Sequence, residues 1–91
     1  MDLPFSEDDQ ADAFFEELLG AVDQQLESAD TPYVKLTLER LVKEGANGTE
    51  AKEAIARCLA EETDRVLRSG RPFDAKRYQE ALAAITVEEE E

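Results

Sequence analysis

Carboxylates are the main site-forming groups of this 91-residue chain, which has no histidine, no tryptophan and a single cysteine. Without histidine, neither a Ser-His nor a Cys-His nucleophile can be assembled, and a zinc site would lack nitrogen ligands and paired thiolates. No glycine-rich phosphate loop and no Gly-x-Ser-x-Gly elbow occurs in the sequence. The chemistry left open is oxygen ligation of a hard cation such as Mg²⁺ or Ca²⁺. Its candidates are Asp23, Gln25, Glu53 and Glu62. Abundant acids are weak grounds for such a site, so the first expectation is no bound metal, no cofactor and no catalytic residue.

Glu62 is the carboxylate out of place. On a helical wheel started at Ala51 it falls at about 20°, inside the arc of Ala51, Ile55, Cys58 and Val66. A charge in a dry core needs a partner or a proton. Three readings are open: the helix frays and Glu62 reaches solvent, it is buried against a tyrosine or an arginine, or it serves a ligand or metal. Gln25 poses the same question at the edge of the first helix. Cys58 reads as a small core residue rather than a reactive thiol. Tyr33 and Tyr78 read as partly buried rings with hydroxyls toward water or a backbone carbonyl.

The elements that must position these groups are all helical. Ser6 is a candidate cap for a helix over about 7–28, whose apolar stripe is Ala11, Phe14, Phe15, Leu18, Leu19, Val22 and Leu26. Asp30-Thr31-Pro32 restarts the chain, with Thr31 as cap, into a helix over 32–44 that stops at Gly45. Val34, Leu38, Leu41 and Val42 form its inner face, and Leu36 points outward. Thr49 is expected to cap a helix over 50–69, and Asp74 one over 75–85 carrying Tyr78, Leu82 and Ile85. The fold class that follows is all-α, a compact antiparallel four-helix bundle in a single domain over 1–87. The glutamates 88–91 have no apolar anchor and are expected to be a disordered tail.

Charge is distributed unevenly along these elements. Residues 1–30 hold ten acids and no base, residues 35–80 hold ten bases against nine acids, and the last four residues are glutamates. Pairs four apart can balance the middle: Glu39–Lys43, Arg40–Glu44, Glu53–Arg57, Glu61–Arg65 and Asp64–Arg68. The first helix can make no such pair. A net charge of -13 and a pI near 4.3 argue against nucleic-acid binding and against anionic membranes. They favour a basic protein partner, met by Asp12, Glu16, Glu17, Asp23, Glu27 and Leu36, if the acids are more than a solvated surface. Leu36, with Leu3 and Phe5, could instead seed a homodimer.

The first residues have no positive n-region or apolar h-region, and no apolar run approaches the roughly 20 residues of a membrane span. One cysteine allows no internal disulfide, and a reducing cytoplasm is the expected location.

From Ala21 to Ile85 a set of residues resembles the DUF1841-like small bacterial proteins of unknown function. They are Ala21-Val22-Asp23-Gln24-Gln25-Leu26, Thr37-Leu38-Glu39-Arg40-Leu41 with Gly45, Ala54-Ile55 with Leu59 and Glu62, and Pro72-Phe73-Asp74 with Arg77-Tyr78. The resemblance implies a helical fold and a bacterial origin, and no activity. In such relatives histidines arranged like a metal site are expected where this chain has Phe15, Leu19, Thr49 and Glu53. Apolar residues at two of those places imply a site filled in as core, with Asp23, Gln25 and Glu62 as remnants of its polar surroundings. The function expected is therefore that of a non-catalytic protein-interaction module. A divalent-metal-binding or hydrolytic protein is the alternative, and a nucleic-acid mimic a remote third.

Overall fold

The computed structural model describes the backbone of residues 7–87 and the side chains of residues 14–87. The expected Ser6 cap, the Leu3 and Phe5 contact, the side chains of Ala11 and Asp12, and the 88–91 tail lie outside the described residues. Four helices follow in order, α1 (Glu7–Glu27), α2 (Pro32–Lys43), α3 (Gly48–Ser69) and α4 (Ala75–Ala83), with no strand among the described residues. They form an all-α helical bundle. In it α3 packs against each of the other three, α2 packs against α1 and α4 as well, and among the described residues the backbones of α1 and α4 do not meet.

The core follows the apolar spacing. Leu18 and Val22 of α1, Val34 and Leu41 of α2, Ala51, Ile55, Ala56 and Leu59 of α3, and Tyr78 and Leu82 of α4 are buried together. Because α3 has neighbours on three sides, its buried arc is wide. Ala56, about 140° round the wheel from Ala51, is as inaccessible as Ile55. The inner face of α2 is rotated from the expected one. Thr37 is buried and Val42 is exposed, because the face centres near Val34 and Leu41, with Val42 about 80° from Val34. Thr37 enters the core with its hydroxyl satisfied, donating to the carbonyl of Tyr33 at 2.7 Å. Phe14, expected in the stripe of α1, is also exposed.

The helix ends explain the boundaries. Thr31 does not cap α2 through its side chain; its hydroxyl turns back to the Gln25 carbonyl at 2.8 Å and so satisfies an end of α1 instead. α2 ends in a Schellman motif. The Ala46 N–H reaches the Leu41 carbonyl (3.0 Å) and the Gly45 N–H the Val42 carbonyl (3.1 Å), with Gly45 at φ +120°. The cap of α3 is Asn47 rather than Thr49: its side-chain oxygen accepts from the Glu50 N–H at 2.8 Å, so the helix starts earlier than expected. Asp74 caps α4 as expected, accepting from the N–H groups of Lys76 and Arg77. α4 stops at Ala83, short of Ile85, which packs against the core from beyond the helix end.

Candidate functional site

α4 has nine residues, too few for a helix to persist on its own. Side chains from the other three helices hold it. From α3, Glu62 is 5% exposed and faces two guanidinium groups. Arg65 contacts one carboxylate oxygen at 3.1 Å, and Arg77, in the first turns of α4, contacts the other at 3.3 Å. From α1, Gln25 accepts the Tyr78 hydroxyl at 2.7 Å, linking two helices whose backbones do not meet. From α2, Arg40 donates to the Leu82 and Ile85 carbonyls at 3.0 and 3.2 Å. It thereby neutralises the negative end of a helix that has no base in its own last turn.

These contacts settle the questions posed by the wheel. Glu62 is buried and paired with arginines; α3 does not fray there, and the solvent-exposed reading is overturned. Arg65 turns toward Glu62 rather than Glu61 because that carboxylate is the one removed from water. Tyr78 is fully buried, and its hydroxyl goes to a side-chain amide, not to water or a backbone carbonyl. Its ring takes edge-on contacts from Tyr33 (centroids 6.0 Å apart) and Phe73 (5.6 Å). Burial pushes the Tyr78 hydroxyl pKa well above its ordinary value, with Tyr33 and Cys58 adding to the effect. Cys58 is half-buried, and its thiol is likewise pushed up, first by burial and then by Glu61, against an opposing Arg57. The side chain packs against the core, as its place in the apolar stripe predicts.

The four candidate metal ligands do not converge. Asp23 is on the surface and pairs with Lys52 of α3 at 2.8 Å. Gln25 is engaged by Tyr78 and Glu62 by its two arginines. Glu53 lies elsewhere, in a cleft of about 500 Å³ between α2, α3 and the segment Ile85–Val87, with Leu41, Ala46 and Arg57. Among the described residues, no group of three or more acids or cysteines is placed to hold a metal ion. Phe15 and Leu19 pack against the core, whereas Thr49 is exposed.

The expected partner-binding residues form a surface of a different kind. Glu16, Glu17, Asp23 and Glu27 are all exposed along α1; Asp12 lies outside the described side chains. Lys52 pairs with Asp23, and no other ion pair reaches α1 among the described residues. The helix-internal pairs of the middle form in part. Arg40–Glu44 and Arg68–Asp64 meet at 3.0 Å, while Glu39–Lys43 and Glu53–Arg57 do not close to 4 Å. Leu36 is 65% exposed and shares a groove with Glu27. It is not the most exposed apolar side chain, since Leu67 of α3 is more so.

The sequence reading missed Arg40 and Lys52 as cross-links. Arg40 announces only its Glu44 partner, and its contacts with α4 lie more than 40 residues away. Among the described residues, no helix is long and apolar enough to cross a membrane. Compared with protein-family models, curated proteins and solved structures, the chain finds no match in any of the three.

Proposed function

We propose that this chain is a non-catalytic helical interaction module whose partner is a basic protein docking on the acidic face of α1. The observation that carries the reading is the state of that face. Among the described residues, Glu16, Glu17 and Glu27 stand exposed without a cation, on a helix that has no base of its own and is reached by Lys52 alone. Every ordered acid left unpaired in this way adds to a negative field that attracts and orients a basic surface. The buried polar groups of the described residues, by contrast, all have partners within the fold, and those of Glu62 and Gln25 help to hold α4. The kinship with DUF1841-like proteins, a bacterial origin and a cytoplasmic location belong to the same proposal, on the residues and the lone cysteine given above.

The test is capture of basic proteins at low and high salt by the native chain and by a Glu16→Gln, Glu17→Gln, Glu27→Gln variant. Capture should weaken steeply as the Debye length falls from about 10 Å at 0.1 M to about 3 Å at 1 M, and should be lost in the variant. Capture that is absent at low salt, or indifferent to salt and to the three substitutions, would sink the reading.

A further inference from the structure

The corner where α1 turns into α2 carries a groove of about 450 Å³. Leu26, Ala29, Pro32 and Leu36 supply its apolar surface, and Glu27 and Glu39 stand on its rim, with Lys35 as the single base. Pro32, Lys35, Leu36 and Glu39 follow one another at helical spacing, so α2 has a second face directed away from the core. Leu36 is 65% exposed there although Val34 and Leu41, on the inner face, are buried.

The electrostatics of this corner are unlike those of the other helix ends. α2 finishes with Arg40 and Lys43, α3 with Arg68, and α4 receives Arg40 from α2. α1 alone has no base in its last turn and no such visiting guanidinium, and it places Glu27 at the end of the helix dipole that is already negative. The groove thus joins an apolar floor to an excess of negative potential.

We propose that this groove is the specific docking point for a basic partner segment that presents an aliphatic side chain flanked by lysine or arginine. The aliphatic group covers Leu36, and the cations meet Glu27, Glu39 and the C-terminal end of α1. This rests on the reading of α1 as a surface for basic proteins and adds where and by what chemistry the partner is chosen. A second copy of the chain is disfavoured as occupant because it brings a net charge of -13 to a negative site.

The experiment uses a fluorescent lysine-leucine peptide and a counterpart of equal charge with serine in place of leucine, measured by anisotropy at low salt against the full chain. The leucine peptide should bind about tenfold more tightly, the advantage of burying roughly one aliphatic side chain. Leu36→Ser, at a site exposed enough to leave the fold intact, should erase that advantage. Glu16→Gln with Glu17→Gln should lower both affinities and leave their ratio unchanged. Amide shifts on titration should centre on residues 26–39. Equal binding of the two peptides, or an advantage that survives Leu36→Ser, would overturn the groove while leaving the acidic face as a general surface. Failure of both peptides to bind would overturn both readings. Dimerisation of the chain that Leu36→Ser abolishes would overturn the proposal in favour of a second copy.

Discussion

Replacing Glu62 by glutamine would leave two guanidinium groups facing a neutral amide. Arg65 is the more enclosed of the pair, with 26% of its side chain exposed against 57% for Arg77. Solvent therefore screens the Arg77 contact more, and the energies should follow that order. Glu62→Gln is expected to cost about 1–2 kcal/mol in urea unfolding. Double-mutant cycles should give a Glu62–Arg65 coupling of about 1 kcal/mol, a smaller one for Glu62–Arg77, and under about 0.5 kcal/mol for the exposed Arg68–Asp64 pair. Tyr78 sets a second residue-level expectation, on the alkaline side. A hydroxyl whose folded pKa is raised contributes stability that is intact below its unfolded pKa and is lost as pH rises toward the folded one. With ordinary values of 9.0 for Cys58 and 10.0 for Tyr78, both raised by folding, the decline should begin near pH 9 and steepen above 10. Cys58→Ala should delay its onset, and Tyr78→Phe should flatten the part above pH 10, at a cost of about 1 kcal/mol at neutral pH for the lost bond to Gln25. Unfolding curves across that pH range decide the matter; an unchanged alkaline slope in Tyr78→Phe would refute it. What the sequence could show of these residues was the face they occupy. Arg65 is three residues from Glu62 and Arg77 fifteen, so the first partner is a matter of helical geometry and the second of tertiary packing.

At the scale of elements, the fate of α4 illustrates what spacing can and cannot reveal. Its apolar pair, Tyr78 and Leu82, and its Asp74 cap are local features, fixed within one or two helical turns, and they were legible. So were the extents of α1 and α2 and the stop at Gly45, where the Schellman bonds link neighbouring residues. The start of α3 was misplaced because Asn47 and Thr49 are both competent caps and only packing chooses between them. The short end of α4 was also illegible, because Arg40 reaches from α2 to the Leu82 carbonyl and to that of Ile85 beyond the helix, a contact more than 40 residues away in sequence. The acidic face of the candidate surface could be read from composition, whereas the groove beside Leu36 required the angle at which α1 and α2 meet. Arg40→Gln should therefore act on α4 more than on its own helix. It removes charge-assisted bonds to the Leu82 and Ile85 carbonyls and an exposed pair with Glu44 of little energetic weight. The expected result is a loss of about 1–2 kcal/mol, with faster amide exchange confined to the C-terminal end of α4 and the turn after it, Leu82 to Ile85. Uniformly faster exchange along α2 would instead assign Arg40 to its own helix.

For the whole molecule the deciding quantity is the net charge of -13. Salt acts on it in two opposite ways. It weakens the ion pairs, most of which lie partly in solvent and contribute about 0–1 kcal/mol each. It also screens the mutual repulsion of the acids, which among the described residues of α1 has only Lys52 to offset it. The most enclosed pair, Glu62 with Arg65, is screened least. Repulsion should therefore lose more than attraction does as salt is added, and the folded state should gain. Raising NaCl from about 0.02 M to about 0.5 M is expected to increase Tm by several degrees, on the scale of about 4–8 °C per kcal/mol for a domain of this size. The Glu16→Gln, Glu17→Gln, Glu27→Gln variant should begin with a higher Tm in low salt and respond less to added salt. Binding of a basic partner should move the other way over the same range, since the field that destabilises the free chain is the field that attracts the partner. A Tm that falls with salt would mean that the cross-links at Asp23 and Glu62 outweigh the repulsion of the acidic face. That face would then be too weakly charged, in effect, to select a partner by electrostatics.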